Sequence, residues 1–244
     1  MTTETILCSG VKEARRQKLI LPIGSGRTGK TFWSRWLLDR AIGTQSPLLI
    51  IDGDSINPGL APLYEGAMTV PHTTFAGDRQ AWFEKTIEAA VVAGRSALID
   101  FGPRLFGLDD WLADAQLGVA LEDAEVDIVA VYLLTPNAYS LPRLPYLIDL
   151  IKPTRTLVVL NEWGFDGDEA RDAFAPILAD PIVTAARADG ARIVAMPHLA
   201  AADELEGSRG LPRGVPKVST DNLAFSARLR RMEENFVPVA DWLA

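Results

Sequence analysis

The sequence is poor in residues that bind soft metals or form disulfides. It has one cysteine, Cys8, and two histidines, His72 and His198, among 244 residues. One cysteine cannot form an internal disulfide, and two isolated histidines provide no ligand set for zinc or haem. The composition therefore leaves oxygen-ligated ions such as magnesium as the metals to consider, and we assign neither histidine a catalytic role.

Long hydrophobic runs and an excess of positive charge are also missing. Apolar runs such as residues 48–51 are far shorter than the roughly 20 residues that span a bilayer. Charged residues such as Glu4 and Lys12 interrupt the region where a secretory signal would be apolar. The net charge of −8 means that contact with nucleic acid would need a local basic patch. We therefore expect a cytoplasmic protein, with only weak support for DNA or membrane contact.

Apolar runs rich in valine, isoleucine and leucine alternate with stretches in which apolar residues recur every three or four positions. The first pattern is typical of strands buried on both faces of a parallel sheet, and the second of amphipathic helices. The predicted strands are residues 18–23, 47–51, 96–101, 126–134, 155–160 and 192–195. The predicted helices are residues 30–41, 78–93, 140–151 and 168–188.

This alternation of strands and helices predicts an α/β fold. Each parallel connection has to cross one face of the sheet, which gives a three-layer α/β/α sandwich with a mostly parallel central sheet. A chain of this length with 48% hydrophobic residues can bury one large core. We predict a single domain over residues 1–244, with residues 1–17 unassigned and a C-terminal helix within residues 221–244. Three stretches that break the alternation are predicted as surface segments: residues 64–77, 103–125 and 200–218.

A glycine-rich octapeptide lies directly between the first predicted strand and the first predicted helix. Its glycines allow successive backbone N–H groups to face phosphate oxygens, and the helix start adds a partial positive charge. Lys30 is predicted to neutralise the β- and γ-phosphates, and Thr31 to bind magnesium. The octapeptide matches the P-loop pattern G-x-x-x-x-G-K-[ST] without a gap and consists of Gly24, Ser25, Gly26, Arg27, Thr28, Gly29, Lys30 and Thr31.

Aspartates lie at the ends of two of the predicted strands. One has Asp100 as its next-to-last residue, and another is followed directly by Asp52, Gly53 and Asp54. Asp52 and Asp54 point the same way from an extended chain, because side chains alternate along a strand. A nucleotide hydrolase needs a carboxylate that holds magnesium at the end of a second buried strand. These acids are therefore candidate metal ligands, and helix capping is the alternative role.

Together with the P-loop, the acids resemble the ParA/MinD family of P-loop ATPases, in the wider SIMIBI class with nitrogenase iron protein and signal-recognition GTPases. The resemblance runs from about Lys18 to Pro212. The family's Asp-x-Asp segment matches Asp52-Gly53-Asp54, which implies that Asp54 helps to place the attacking water and that Asp52 is a supporting metal ligand. The family's Ile-Asp-x-x-Pro segment matches residues 99–103, which implies that Asp100 is the Walker B carboxylate.

Two later strand ends extend the resemblance. Residues 157–161 are similar to the family's strand that ends in an asparagine reading adenine, which implies this role for Asn161. An amide has the donors and the acceptor that suit the adenine edge, and a turn role before Gly164 is the alternative. Residues 194–198 resemble the strand end beside the base, which implies that Pro197 contacts it. The resemblance thus implies ATP and Mg2+ as cofactors.

The P-loop departs from the family at one position. The family's ATPases usually carry a second lysine early in the loop, which reaches across a dimer to the partner's phosphates. Ser25 occupies that position here. Arg27 is either a substitute, because a guanidinium binds phosphate through two nitrogens, or a solvated loop residue. The homodimer that the family implies depends on which of these is correct.

The C-terminal stretch, residues 221–244, combines apolar side chains with arginines. Such a helix can lie on an anionic membrane. Glu233 and Glu234 dilute its positive face and Pro238 ends it, so we predict that it packs against the domain. We likewise predict that Trp33 and Trp36 pack in a core or an interface rather than stack on nucleobases.

Three functions are consistent with these features. The leading hypothesis is a ParA/MinD-like ATPase that acts as a switch in plasmid partition, conjugative transfer or intracellular positioning, with hydrolysis stimulated by a protein partner. The alternative is a metabolic P-loop enzyme, either a small-molecule kinase or a dethiobiotin-synthetase-like ligase. Ser25 favours this alternative, because such enzymes also lack the early lysine. A nucleotide-binding scaffold without turnover is the third hypothesis.

Overall fold

The centre of the molecule is a parallel β-sheet. The computed structural model describes residues 16–43, 48–73, 75–102, 117–165, 167–198 and 223–243. Within these ranges seven strands pair in the order β3-β2-β4-β1-β5-β6-β7, and every pair is parallel. The strands are β1 Lys18–Ile23, β2 Leu48–Asp52, β3 Met68–Thr69, β4 Ser96–Asp100, β5 Asp127–Leu134, β6 Arg155–Asn161 and β7 Arg192–Met196.

Helices cover both faces of this sheet. Those in the described ranges are α1 Lys30–Gly43, α2 Ala76–Val92, α3 Leu117–Asp123, α4 Leu144–Ile151, α5 Gly167–Leu178, α6 Pro181–Ala188, α7 Leu223–Phe236 and α8 Ala240–Leu243. Two short 3-10 helices are Ala138–Arg143 and Val237–Val239. None of the helices in this part of the chain has the length and apolar character needed to cross a membrane.

Two hydrophobic clusters lie on the two faces of the sheet, because successive strand side chains point to opposite faces. Along β1, Leu19 and Leu21 belong to one cluster and Ile20 to the other. The first cluster includes side chains of α2 to α6, and the second includes those of α1, α7 and α8. The predicted three-layer α/β/α sandwich with a parallel sheet is therefore confirmed.

The C-terminal helices pack against the domain, as the sequence predicted. Met232 and Phe236 of α7 are buried, and the Phe236 ring centroid lies 4.6 Å from that of Trp36. The Asn235 amide donates a hydrogen bond to the Ala195 carbonyl of β7 at 2.8 Å. Helix α7 therefore covers the face of the sheet beside β7, and Trp36 belongs to the core.

The structure corrects the sequence prediction at three places. Residues 168–188 form two helices, because Asp180 caps α6 by accepting a hydrogen bond from the Ile182 N–H at 2.8 Å and Pro181 begins the new helix. Strand β3 and helix α3 lie in stretches predicted as surface segments. Both are too short to show a clear period. The remaining boundaries differ slightly, and β6 extends to include Asn161.

Several predictions fall outside the described residues. These are the cysteine at position 8, most of the unassigned N-terminal stretch, residues 103–116 of the surface segment 103–125, the surface segment 200–218, and Pro212 of the family resemblance. Every predicted site residue, by contrast, lies within the described ranges. The carboxyl ends of parallel strands all lie at the same end of the sheet. The predicted site residues therefore lie at this end.

Candidate functional site

The loop between β1 and α1 curls tightly where its sequence is rich in glycine. Arg27 has φ 62° and Gly29 has φ 90°, in the left-handed region that favours glycine. A Cβ atom on Gly24 would lie 2.5 Å from Thr28 Oγ1 and 2.8 Å from the Leu133 carbonyl oxygen. Gly24 is thus required because a side chain would clash with its neighbours, and Gly29 because of its left-handed backbone conformation.

Lys30 is folded back onto this loop. Its Nζ donates hydrogen bonds to the carbonyl oxygens of Gly24 at 3.0 Å and Ser25 at 2.9 Å, and the side chain is buried. Burial lowers the pKa of Lys30 below its usual value, although the carboxylates of Asp100 and Asp54 act in the opposite direction. The ammonium group therefore lies between the loop and two acidic side chains.

Asp100 is the last residue of β4 and is 4% exposed. Its carboxyl accepts a hydrogen bond from the Thr31 hydroxyl, whereas Oδ1 has no hydrogen-bond partner in the described part of the chain. Burial raises the pKa of Asp100 to about 7, assisted by Asp52 and Asp54 and opposed by the Thr31 hydrogen bond and by Lys30. An unpartnered buried carboxylate oxygen is costly unless a cation or a water satisfies it.

Asp52 lies beside Asp100 in the sheet, but its carboxylate is fully engaged with the backbone. Asp52 Oδ2 accepts hydrogen bonds from the N–H groups of Leu60 at 2.7 Å and Ala61 at 2.9 Å. Oδ1 accepts one from the Asp54 N–H at 3.2 Å, and the residue is 1% exposed. The structure thus shows Asp52 anchoring the loop of residues 53–61, and its role as a supporting metal ligand stays a prediction.

Asp54 lies within this anchored loop. Its Oδ1 accepts hydrogen bonds from the N–H groups of Ile56 at 3.0 Å and Asn57 at 2.9 Å. Its Oδ2 faces Gly102, where an added Cβ would lie 2.6 Å away. One carboxylate oxygen therefore shapes the turn, and the other lies against the segment that follows β4.

A cavity of ≈ 210 Å³ lies between the P-loop and the ends of β2 and β4. The loop of residues 53–61 closes one side, because a Cβ atom on Gly59 would lie 2.5 Å from Thr31 Cγ2. The structure therefore brings the predicted catalytic and metal-binding residues, together with Arg27, to one cavity: Arg27, Gly29, Lys30, Thr31, Asp52, Asp54 and Asp100 are among the residues that line it.

The donors at this cavity fit magnesium. In the described residues no group of three or more His, Cys, Asp or Glu side chains is arranged to hold a metal ion by itself. Magnesium at nucleotide sites usually takes one or two protein oxygens, with waters and substrate phosphates completing the shell. The Thr31 hydroxyl and the unpartnered Oδ1 of Asp100 supply such oxygens.

Asn161 lies on the opposite side of the P-loop and fixes its backbone. Its Nδ2 donates to the Thr28 carbonyl at 2.9 Å, and its Oδ1 accepts from the Trp163 N–H at 3.1 Å. A Cβ on Gly29 would lie 2.7 Å from Asn161 Nδ2 and 3.0 Å from Met196 Cε. The ends of β6 and β7 thus contact the P-loop. That Asn161 reads adenine stays a prediction.

Pro197 follows β7 and is buried, next to His198. The His198 ring lies 5.1 Å from the ring of Trp163, which is 45% exposed. The sequence prediction missed this aromatic pair, although the positions of Trp163 two residues after Asn161 and of His198 directly after Pro197 are the signal that was available. The contact of Pro197 with a base stays a prediction.

The remaining P-loop side chains lie at the surface. Ser25, Gly26 and Arg27 are all exposed, and the Ser25 carbonyl accepts a hydrogen bond from the Thr28 hydroxyl at 2.9 Å. The position where the ATPase family carries its early lysine therefore faces solvent. Arg27 reaches the cavity from the same exposed turn.

Comparison with known proteins gives structural but no sequence relatives. No protein-family model matches the chain, and no curated protein is similar to it in sequence. The structure of apo McdA from Cyanothece is similar with a TM-score of 0.50 and 13% identity, over 91% of this chain and 99% of that chain. A GTPase from Pyrococcus abyssi in apo form is similar with a TM-score of 0.48 and 14% identity, over 90% and 98% of the two chains.

The cell division protein FtsY from Thermotoga maritima is similar with a TM-score of 0.48 and 16% identity, over 75% of this chain. The matched region spans only 63% of FtsY. At such low identity the likeness concerns the fold and not the function. The parallel sheet, the P-loop between β1 and α1 and the likeness to McdA together show the three-layer α/β fold of P-loop nucleoside triphosphatases.

Proposed function

We propose that this protein is a ParA/MinD-like ATPase, which binds ATP with magnesium at the P-loop, hydrolyses it and uses the two nucleotide states as a switch. One observation carries the proposal: Lys30, Thr31, Asp54 and Asp100, from a P-loop and two strand ends, line the same cavity. This is the set of groups that phosphoryl transfer to water requires, namely a phosphate cradle, a cation site and a carboxylate near the attacking water.

The P-loop supplies the phosphate site. The N-terminus of α1 and the backbone N–H groups of the loop attract anionic oxygens. Lys30 exchanges its two hydrogen bonds with the loop carbonyls of Gly24 and Ser25 for the β- and γ-phosphates. Because the lysine is already held on the loop, little conformational entropy is lost when the phosphates bind.

Thr31 and Asp100 would hold magnesium, with Asp52 as a supporting ligand. When bound, the ion would neutralise the charge that develops on the phosphate oxygens. The approach of a cation favours the ionised form of Asp100, whose pKa burial raises to about 7.

Asp54 is the residue that orients the attacking water. Its Oδ2 lies at the face of Gly102, and its Oδ1 is held by two backbone N–H groups. A carboxylate fixed in this way can hold a water molecule in one position by accepting a hydrogen bond from it. Catalysis by positioning alone is slow, so we propose that a protein partner stimulates it.

The proposed biological role is plasmid partition, conjugative transfer or intracellular positioning, with a homodimer as the ATP-bound form. Arg27, exposed at the cavity, would take the place of the missing early lysine toward the second subunit's phosphates. Gel filtration with and without a non-hydrolysable ATP analogue tests this point. We expect a shift to the dimer with the analogue in the wild type and none in Arg27→Ala.

Phosphate release from ATP with magnesium tests the proposed activity. Lys30→Ala is expected to lower the rate by about two orders of magnitude or more, because an electrostatic contact to the transferred phosphate is lost. Lys85→Ala is the matched control, since Lys85 is an exposed lysine on α2. Equal rates in Lys30→Ala and the wild type would exclude the mechanism.

Ser25 is the observation that favours a second candidate, a small-molecule kinase or a dethiobiotin-synthetase-like ligase. Product analysis separates the two functions. Phosphate release without an added acceptor supports the ATPase, whereas a strict requirement for a small acceptor supports the metabolic enzyme. Tight ATP binding without phosphate release, even with candidate protein partners present, would identify a nucleotide-binding scaffold.

A further inference from the structure

An aromatic pair, of which Trp163 is exposed and His198 is half-buried, lies at the end of the sheet that carries the P-loop. Among the tryptophans that the structure describes, Trp163 alone is exposed, at 45%. Its ring packs against His198 with centroids 5.1 Å apart and ring planes inclined by 54°. A tryptophan is usually well buried, and a half-exposed one that is held in place by a second ring is suited to stack on a planar ligand.

The sheet order places this pair on the side of the P-loop away from the carboxylates. Strands β2 and β4, which end in Asp52 and Asp100, lie on one side of β1. Strands β6 and β7, which precede Trp163 and His198, lie on the other side, beyond β5. The carboxylates and the aromatic pair therefore lie on opposite sides of the P-loop, so the pair is separate from the proposed magnesium site.

Short contacts connect the aromatic pair to the P-loop. The backbone N–H of Trp163 donates a hydrogen bond to Asn161 Oδ1 at 3.1 Å, and Asn161 Nδ2 donates one to the Thr28 carbonyl at 2.9 Å. On the β7 side, Met196 Cε lies 3.0 Å from the position that a Cβ on Gly29 would take. Both strand ends that carry the rings are therefore in contact with the loop that holds the phosphates.

The Asn161 amide is already engaged at both of its polar atoms. Because its nitrogen and its oxygen bind backbone groups and the residue is 5% exposed, it has little capacity left to read the edge of a base. Stacking on an aromatic face does not depend on that edge, since every base has a π-face. The aromatic pair is therefore better placed than the amide to provide base affinity.

We propose that Trp163, supported by His198, is the platform on which the nucleobase of the bound nucleotide stacks. The inference rests on the proposed nucleotide-binding function and extends it from the phosphates to the base. Trp163 contacts the base face and not its edge. This stacking contact by itself does not distinguish adenine from guanine.

The test compares nucleotides with a ligand that has no base. Affinities of the full chain for ATP, GTP and inorganic tripolyphosphate, each with magnesium, are measured by calorimetry. Trp163→Ala is expected to weaken ATP and GTP binding about tenfold each and to leave tripolyphosphate binding unchanged. Trp163→Phe, which keeps an aromatic face, restores most of the affinity. Tyr146→Ala, at an exposed aromatic residue on α4, is the control and should change none of the three.

Each other result overturns the inference in a distinguishable way. Unchanged ATP affinity in Trp163→Ala removes the platform and leaves the proposed function intact. An equal loss of tripolyphosphate affinity means that Trp163 acts on the phosphate loop and not on the base. A wild-type chain that binds neither nucleotide nor tripolyphosphate overturns both the platform and the proposed function. Near-ultraviolet circular dichroism of each variant shows whether the fold is retained.

Discussion

Asp52 and Asp100 are Cα partners on the adjacent parallel strands β2 and β4, yet their carboxylates have different surroundings. The Asp52 carboxylate accepts hydrogen bonds from three backbone N–H groups, whereas Asp100 Oδ1 has no hydrogen-bond partner among the described residues. Both oxygens of Asp52 therefore bind the protein backbone, whereas one oxygen of Asp100 is left to bind something else. This difference leads to separate predictions for the two aspartates.

Asp52→Ala is expected to destabilise the fold without magnesium or nucleotide. The substitution leaves the buried N–H groups of Asp54, Leu60 and Ala61 without their acceptor, and the lost stability is on the order of 3 kcal/mol. Urea unfolding in the presence of EDTA measures it. Asp149→Ala removes an exposed carboxylate from α4 as the control. If Asp52→Ala were as stable as the wild type in EDTA, Asp52 would not anchor the loop.

Asp100→Asn is expected to stabilise the nucleotide-free protein above neutral pH. The folded pKa of Asp100 is about 7, against about 3.9 in an unfolded chain. Between these values the folded state keeps a proton that the unfolded state has lost, so the free energy of unfolding falls as the pH rises and levels off above about 7. Asparagine does not titrate, so the free energy of unfolding of Asp100→Asn at pH 8 exceeds that of the wild type by at most about 4 kcal/mol.

Thermal unfolding of both proteins from pH 4 to pH 8, without magnesium, checks this dependence. The two stability curves should converge near pH 4 and diverge as the pH rises. Parallel curves over the whole range would show that Asp100 does not titrate in this window. Despite its greater stability, Asp100→Asn should hydrolyse ATP much more slowly, because an amide binds magnesium less strongly than a carboxylate.

Gly59→Ala is expected to impair magnesium-dependent hydrolysis. The new Cβ would lie 2.5 Å from Thr31 Cγ2, so either the loop of residues 53–61 or the Thr31 side chain has to move. Hydrolysis rates with and without a stimulating partner, at several magnesium concentrations, measure the effect. Gly77→Ala is the matched control, because a Cβ there meets nothing within 4 Å. Wild-type activity in Gly59→Ala would mean that the loop lies elsewhere when nucleotide binds.

Asn161→Ala is expected to weaken ATP and tripolyphosphate binding to a similar extent, about tenfold. The substitution removes the hydrogen bond to the Thr28 carbonyl and leaves the P-loop backbone without its brace. Binding of both ligands by calorimetry measures the change. A loss confined to ATP would instead support the adenine-reading role that the family resemblance implies.

Phe236→Ala is expected to cost far more stability than Arg231→Ala. Phe236 is 2% exposed and packs on Trp33 and Trp36, so its truncation costs about 3–5 kcal/mol. The Arg231–Glu162 ion pair spans 3.7 Å and its arginine is half exposed, so its loss costs about 0–1 kcal/mol. Chemical denaturation of the two variants compares them. Similar losses would mean that charge, and not packing, holds α7.

The site could be predicted from sequence where one short motif determines the structure. The P-loop has this property, because Gly24 and Gly29 are required locally and Lys30 starts the helix. Asp100 was identified as the end of an apolar strand. These signals lie within about eight residues of the group that they predict.

The parts of the site that depend on tertiary contacts were not predictable in the same way. No local pattern shows that Asp52 binds the N–H groups of Leu60 and Ala61, or that the Asn161 amide binds the Thr28 carbonyl. The pairing of Trp163 with His198 joins the ends of two different strands. Such contacts arise only after the sheet order is set, and one sequence does not specify that order.

The position of β1 in the sheet has a consequence for folding kinetics. The backbone N–H of Lys18 donates a hydrogen bond to Ser96 Oγ, 78 residues further along the chain. The other neighbour of β1 is β5, which is still more distant in sequence. Closing such long loops costs entropy before any strand contact forms, so a central parallel strand of this kind is completed late. We therefore expect the octapeptide that carries the P-loop motif to bind phosphate only within the assembled sheet. Recovery of nucleotide affinity during refolding should follow the assembly of the central strands and not precede it.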